Sequence, residues 1–316
     1  MTTTPPTLTL ASPAPSAPPP KAYAASIFPG AGTVLPPAFV AAVQALEVEM
    51  GVPVWLAIQD LSGNAEIDQI SLELADHFVS ARAEFQKGTP VALVVNSAGG
   101  YAKAGYMIAS LLRKRCGGFT AVVPSYAKSA ATLLVLGADR IILPEHAELG
   151  PLDAQYFDHE RELDCSALDE VQALERLHSF ALQAVDQEML FFMRRAPRKI
   201  SALLPDVQSF VAAMTRPLFE SIDTVHYTQM SRVLRVAEEY AVRLLQPKYS
   251  EVAAKAIAKA LVHNYPDHAF VIDAAEANRF GLQTETPSGN LANSLDILNK
   301  EMKNLTVIGR LIEVTP

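Results

Sequence analysis

The sequence predicts an α/β protein with a mostly parallel sheet, and three observations carry that reading. Short β-rich runs alternate with longer stretches of helical period. The runs are apolar at nearly every position rather than at every second one, as strands covered on both faces are. Half of the 316 residues are hydrophobic, enough to bury a large core.

The elements follow in order. Met1 to about Pro37 is rich in Pro, Ala, Ser and Thr, a composition that buries too little apolar surface to offset chain entropy, so 1–37 is expected to be a disordered leader. Pro5, Pro6, Pro13 and Pro15 interrupt any signal-peptide-like apolar run. Val54-Trp55-Leu56-Ala57-Ile58 is the first buried strand, and Ile67 opens a helix with Ile70, Leu74, Phe78 and Ala81 on one face. Val91–Val95 is the second strand, Ala104–Arg115 the next helix, and Gly117-Gly118 its stop. Phe119–Val123, a helix over Ser129–Gly137 and the strand Arg140–Leu143 complete the repeated βα units of a core domain expected at 38–160.

Beyond Pro151 the pattern changes to long amphipathic helices. Ala167–Arg195, Val207–Met214 and Pro217–Leu245 are the candidates, with Pro197, Pro205 and Pro247 as breaks and Pro217 suited to a first turn. A helical region at 161–250 would cap a site or form a subunit interface. The remainder, 251–316, returns to the core through Phe270-Val271-Ile272, a helix over Asp273–Phe280 closed by Gly281, and a helix-prone tail around Leu295–Leu305.

Chemistry concentrates at two strand ends. Asn96-Ser97-Ala98-Gly99-Gly100 and Ser125-Tyr126-Ala127-Lys128-Ser129-Ala130-Ala131 each run from a strand into a helix, which sets a diglycine turn beside a serine at one sheet edge. Diglycine backbone can turn N–H groups toward an oxyanion, and a serine at a helix start is exposed enough to attack a carbonyl. The plain structural role for Ser129 is a helix N-cap. Asp153, after Gly150-Pro151, also suits a turn.

Composition excludes several classes. A net charge of −8 gives the whole chain no attraction to phosphate backbones or anionic lipid, so nucleic acid is not an expected partner. No run of about eighteen uncharged apolar residues occurs, so no membrane span is expected. Cys116 and Cys165 show neither disulfide-framework nor zinc spacing, which fits a reducing cytoplasmic setting. The histidines lack spacing such as HExxH, so no metal is expected, and Gly99-Gly100 lacks the third glycine and acidic partner of a nicotinamide fingerprint.

Taken together, the motifs resemble a known family. Val94–Gly100 followed by Ala104-Gly105 is similar to the strand, Gly-Gly, helix signature of Clp-type and signal-peptide-peptidase-type serine peptidases, and Val123–Leu133 resembles their nucleophile segment. Leu149-Gly150-Pro151-Leu152-Asp153-Ala154-Gln155 is similar to a run typical of the serine dehydrogenase proteinase branch. Tyr265–Asp273, leading to Glu276-Ala277 and Gly281-Leu282, also looks like that branch. The resemblance covers roughly Val52 to Gln155 and Pro217 to Leu282.

It implies a Clp/crotonase-like fold of stacked ββα units with a helical insertion or appendage, and a cofactor-free homo-oligomer that cleaves polypeptide substrates, with or without an unfoldase partner. By position Ser129 is the nucleophile, and Gly99 or Gly100 with the N–H of Ala130 forms the oxyanion hole. The base stays open. Clp-type enzymes place a histidine shortly after the strand that follows the nucleophile helix, where this chain has Pro151, Leu152 and Asp153. His268 matches a histidine of the branch motif, with Asp153 or Asp267 to hold its tautomer. Lys128, adjoining the nucleophile, and His146 or His159, flanking Asp153, are the other candidates, and a plain loop histidine is the alternative role for His268. Two further functions stand beside a serine peptidase: a non-catalytic oligomeric scaffold or binding relative, and a crotonase-type acyl-CoA enzyme that uses the amide pair but no serine.

Overall fold

The computed structural model describes residues 21–59, 68–158, 162–195 and 198–315. Along the chain run β1 (Ala22–Ala25), α1 (Pro37–Met50), β2 (Val54–Ile58), α2 (Leu72–Ser80), β3 (Val91–Asn96), α3 (Ala102–Arg115) and β4 (Phe119–Val122). Next come β5 (Tyr126–Ala127), α4 (Ala130–Leu136), β6 (Arg140–Ile142), β7 (Glu148–Leu149), β8 (Gln155–Asp158), β9 (Leu163–Ser166) and α5 (Ala167–Arg195). Then follow α6 (Ile200–Glu220), α7 (Thr224–Leu245), α8 (Glu251–His263), α9 (Ala274–Arg279), α10 (Gly289–Glu301), β10 (Val307–Gly309) and β11 (Leu311–Val314).

The central sheet has the order β10-β2-β3-β4-β6. β2, β3, β4 and β6 are mutually parallel, and β10 closes one edge antiparallel to β2. Because successive strand residues face opposite sides, the apolar runs supply two cores at once. Trp55, Ala57, Leu93, Val95 and Ala121 face one side, in a core shared with α2, α3, α4 and α8. Val54, Leu56, Ile58, Ala92, Val94 and Val122 face the other, against α1 and α10. This double coverage is why the strands carry no polar alternation.

Several expectations change. The stretch expected to be leader carries β1 from Ala22, which pairs antiparallel with β11, while residues 1–20 lie outside the described part. The expected start of the first helix at Ile67 also lies outside it, and α2 begins at Leu72, capped by Ser71, whose Oγ accepts the Leu74 N–H at 3.1 Å. Pro205 and Pro217, expected as a break and a helix start, both lie inside α6. Each removes a backbone hydrogen bond, and next to Pro205 the helix is packed through Val207 and Val211 on Ala184 of α5. Phe270–Ile272 forms no strand, only a bridge from Ile272 to Leu149. α1, α8 and the strands β5, β7, β8, β9, β10 and β11 were not predicted, and α10 begins earlier than the expected tail helix.

Candidate active site

The parallel register of β3 and β4 sets their C-terminal ends side by side, so that the diglycine turn and the Ser129 turn leave the sheet together. Short bridges extend this: Ser97 pairs with Ala127, and Gly100 with Ile70. β5 in turn pairs parallel with β7, which carries Leu149 into the Gly150–Asp153 loop. Three consecutive strand ends thus converge.

Ser129 is the N-cap residue of α4, yet its side chain makes no capping bond, and its backbone lies at φ 49°, ψ −118°. A serine in that region of backbone space is strained by about 1–3 kcal/mol and persists only where its surroundings over-determine it. The surroundings are specific. The hydroxyl of Thr132, fully buried, sits 2.7 Å from the Ala127 carbonyl and 2.9 Å from that of Gly150, and accepts the Gly150 N–H at 3.1 Å. It ties the serine turn to the neighbouring loop.

Gly99 lies against that turn. A Cβ there would stand 2.6 Å from the Lys128 carbonyl oxygen and 2.8 Å from the Ser129 Cβ, and its φ of 106° is one that side-chain-bearing residues avoid. Gly100, at φ 142°, has Ile70 backbone equally close. A buried polar chain holds the turn: Gly99 N–H donates to Ser97 Oγ at 3.1 Å, Ser97 Oγ donates to Gln59 Oε1 at 2.6 Å, and Gln59 Nε2 donates to the Gln69 carbonyl at 2.7 Å. The two glycine amides therefore differ in their partners. The Gly99 amide is engaged and its missing Cβ permits the close approach of the serine turn, whereas the amides of Gly100 and Ala130 donate to no other group among the described residues.

Gly100, Ser129, Ala130 and Asp153 share one cavity of about 310 Å³, with Leu133, Leu152, Val233, Val236 and Ala237 among its apolar walls. An adjoining cavity of about 190 Å³ is strongly polar in its residues and contains His268, Asp267, Ser166 and Arg176. Asp153 and Gln155 line both.

The Asp153 carboxylate is buried, 4% exposed, and fully engaged. Its Oδ1 lies 2.8 Å from His268 Nδ1, and its Oδ2 accepts the Ser166 hydroxyl at 2.9 Å. An acceptor carboxylate fixes the proton on Nδ1 and leaves Nε2 as the nitrogen with a lone pair. Ser166 also accepts the Leu168 N–H at 3.1 Å at the start of α5, so the helical region anchors the carboxylate. Among the described residues no hydrogen bond joins His268 to Ser129.

The other candidates point elsewhere. Lys128 Nζ pairs with Glu148 Oε1 at 2.7 Å and lies 3.4 Å from the carbonyls of Leu149 and Phe270. His146 Nε2 sits 3.1 Å from the Pro124 carbonyl and 3.3 Å from Asn299 Nδ2. His159 lies outside the described residues. Asp267 Oδ1 accepts the Ala269 N–H at 2.6 Å, capping its own loop. His226 Nε2 is 3.1 Å from the Tyr156 hydroxyl, which burial and the bond to Glu170 hold above the ordinary phenol range. Among the described residues no cluster of His, Cys, Asp and Glu could hold a metal ion, and no helix is long and apolar enough to cross a membrane.

Sequence reasoning assigned no role to Ser97, Gln59, Thr132 or Ser166. Ser166 carried a signal, standing just before a helical period as N-caps do, and Thr132 lay within the nucleophile motif. Gln59 carried none.

Residues 67–178 match the family described as ClpP-like SDH-type serine proteinase, a stretch that includes Ser129 and Asp153 but not His268. Two uncharacterized proteins of Methanocaldococcus jannaschii are 26% and 22% identical over 217 residues, 69% of this chain in each case. The match spans 61% and 59% of those relatives' own lengths. A ClpP1 mutant from Listeria monocytogenes is similar at TM-score 0.34 and 11% identity, covering 78% of this chain and 99% of that one. The stretch that carries the diglycine turn, the strained serine and the buried aspartate is thus the part of the chain that matches the ClpP-like SDH-type serine proteinase family, on an α/β architecture with a mainly parallel sheet.

Proposed function

We propose that the chain is a serine peptidase-type hydrolase acting on polypeptide, with Ser129 as nucleophile, His268 as general base and Asp153 as the group that orients it. The observation that carries this reading is the strained Ser129 turn at the mouth of a cavity it shares with two uncommitted backbone amides. Strain of this kind at a strand-to-helix turn is the geometry of a nucleophile elbow, and an N-cap role would need neither the strain nor the amides.

In the proposed cycle the Ser129 Oγ bonds to the substrate carbonyl carbon as its proton passes to His268 Nε2. The carbonyl oxygen becomes an oxyanion held by the N–H groups of Gly100 and Ala130. Collapse breaks the C–N bond, the imidazolium returns its proton to the leaving amine, and water then hydrolyses the acyl-enzyme by the same base. One oxyanion donor is worth about 3–4 kcal/mol of barrier in enzymes of this type. Asp153 holds Nδ1–H throughout. The separation of His268 from Ser129 in the free enzyme is compatible with this, since catalytic hydrogen bonds often tighten only with substrate. The apolar flanks of α5 and α6, with Phe180, Leu182, Phe210 and Met214 exposed, support a homo-oligomer.

The non-catalytic reading draws on one observation, the missing His268 to Ser129 bond. Labelling of the full chain with a fluorophosphonate separates the two: Ser129 modified in the wild type, and no modification in Ser129→Ala, is the expected result. A wild type that fails to label across pH 6–9 overturns the hydrolase assignment. Retained acyl-CoA turnover in Ser129→Ala would favour the crotonase-type chemistry instead.

A further inference from the structure

α5 and α6 form a hairpin that leaves the core. Of the 29 residues of α5, only Ala167 and Leu168 at its base and Ala184 midway are buried. At 1.5 Å per residue the helix extends about 43 Å, so the apex stands well away from Asp153, at whose side α5 begins. Beyond the base, the hairpin's only buried cluster is Ala184, Val207 and Val211 among the described residues.

The apex has a composition unlike the rest of the chain. From Met189 to Pro205 there are four cations and no acidic residue, in a chain of net charge −8. Arg194, Arg195, Arg198 and Lys199 are exposed, and none pairs with a carboxylate among the described residues. Interleaved with them, Leu190, Phe191, Met193 and Ile200 are also exposed, at 56%, 44%, 43% and 54%. The Arg195 guanidinium lies 4.1 Å over the Phe191 ring, keeping charge and apolar surface together. The nearest acids in sequence, Glu188 and Asp206, line a cavity of about 360 Å³ together with Phe192, Leu203 and Arg198, and no salt bridge joins them to Arg198 among the described residues. Whole-chain charge averages this cluster away.

We propose that the α5–α6 apex docks on an anionic phospholipid surface, its apolar side chains entering the headgroup boundary and its four cations pairing with lipid phosphates and carboxylates. Apolar side chains ringed by Lys and Arg are the pattern of interfacial membrane segments. The apex is only two helix ends wide, about 200 Å², against the roughly 800 Å² per partner that a stable protein interface buries. Nucleic acid would use the cations but gains nothing from exposed Leu190, Met193 and Ile200.

The test is co-sedimentation of the full chain with vesicles of phosphatidylcholine alone and with 30% phosphatidylserine, at 50 and 500 mM NaCl. Binding to the anionic vesicles only, and more weakly at high salt, is expected. R194A/R195A should lower the partition coefficient roughly 30-fold, and F191S/F192S should also weaken it, both with unchanged Tm and unchanged Ser129 labelling. No binding to anionic vesicles at 50 mM NaCl, or binding untouched by both variants, overturns the proposal. So does an absence of vesicle binding together with a smaller oligomer for F191S/F192S by sedimentation velocity, which would make the apex a contact between copies of the chain. Labelling and vesicle binding fail independently, so neither result stands in for the other.

Discussion

His268 Nδ1 lies 2.8 Å from Asp153 Oδ1, a bond between groups 115 residues apart that joins the loop after α8 to the loop after β7. It brings together the matched family segment and a part of the chain outside it. Asp153→Asn offers an amide where a carboxylate accepted, which disturbs the imidazole tautomer and the Ser166 bond together. Labelling and hydrolysis should fall by about 10³–10⁴, with a stability loss of about 1–3 kcal/mol. His268→Gln should lose comparable activity at little cost in stability, as the side chain is 21% exposed. Equal activity in His268→Gln and wild type would remove the imidazole from the mechanism.

Strain at Ser129 makes a prediction separate from chemistry. Ser129→Gly relieves the positive φ and should raise stability by about 1 kcal/mol relative to Ser129→Ala, both variants being inactive. Urea unfolding of the two compares them directly.

Gly99→Ala tests the approach of the two turns. The new Cβ meets the Lys128 carbonyl at 2.6 Å, and backbone cannot give way as a flexible side chain would. Loss of labelling together with a lower Tm is expected, and an active, fully stable Gly99→Ala would contradict the contact.

Lys128→Met separates a lysine base from a structural lysine. The Lys128–Glu148 pair is largely buried, at 15% and 27% side-chain exposure, so removing the cation should destabilise by about 1–3 kcal/mol. The labelling rate at pH 8 should be unchanged.

Cys116 closes α3 in the core, where burial pushes its thiol up to about 11 from 9.0. A raised folded value means that its contribution is complete below pH 9 and is lost as pH rises toward 11, because the unfolded chain ionises first. Stability should therefore decline more steeply over that window in wild type than in Cys116→Ala, by about 2–3 kcal/mol in total. Parallel pH slopes in urea melts would refute the assignment.

What the sequence by itself determined was local and periodic. Uniformly apolar runs such as Val91–Val95 specified strands buried on both faces, the 3.6-residue period specified α3, α5 and α7, and the two strand-end motifs marked Ser129, Gly99 and Gly100. Tertiary structure decided the rest, because those outcomes depend on partners distant in the chain. β10 completes the sheet only by finding β2, and β1 by finding β11. Pro205 stays inside a helix beside the packing that α5 supplies. Which glycine keeps a free amide was settled by Ser97 and Gln59, and the Asp153–His268 bond exists only once the helices between them have returned the chain to the sheet edge.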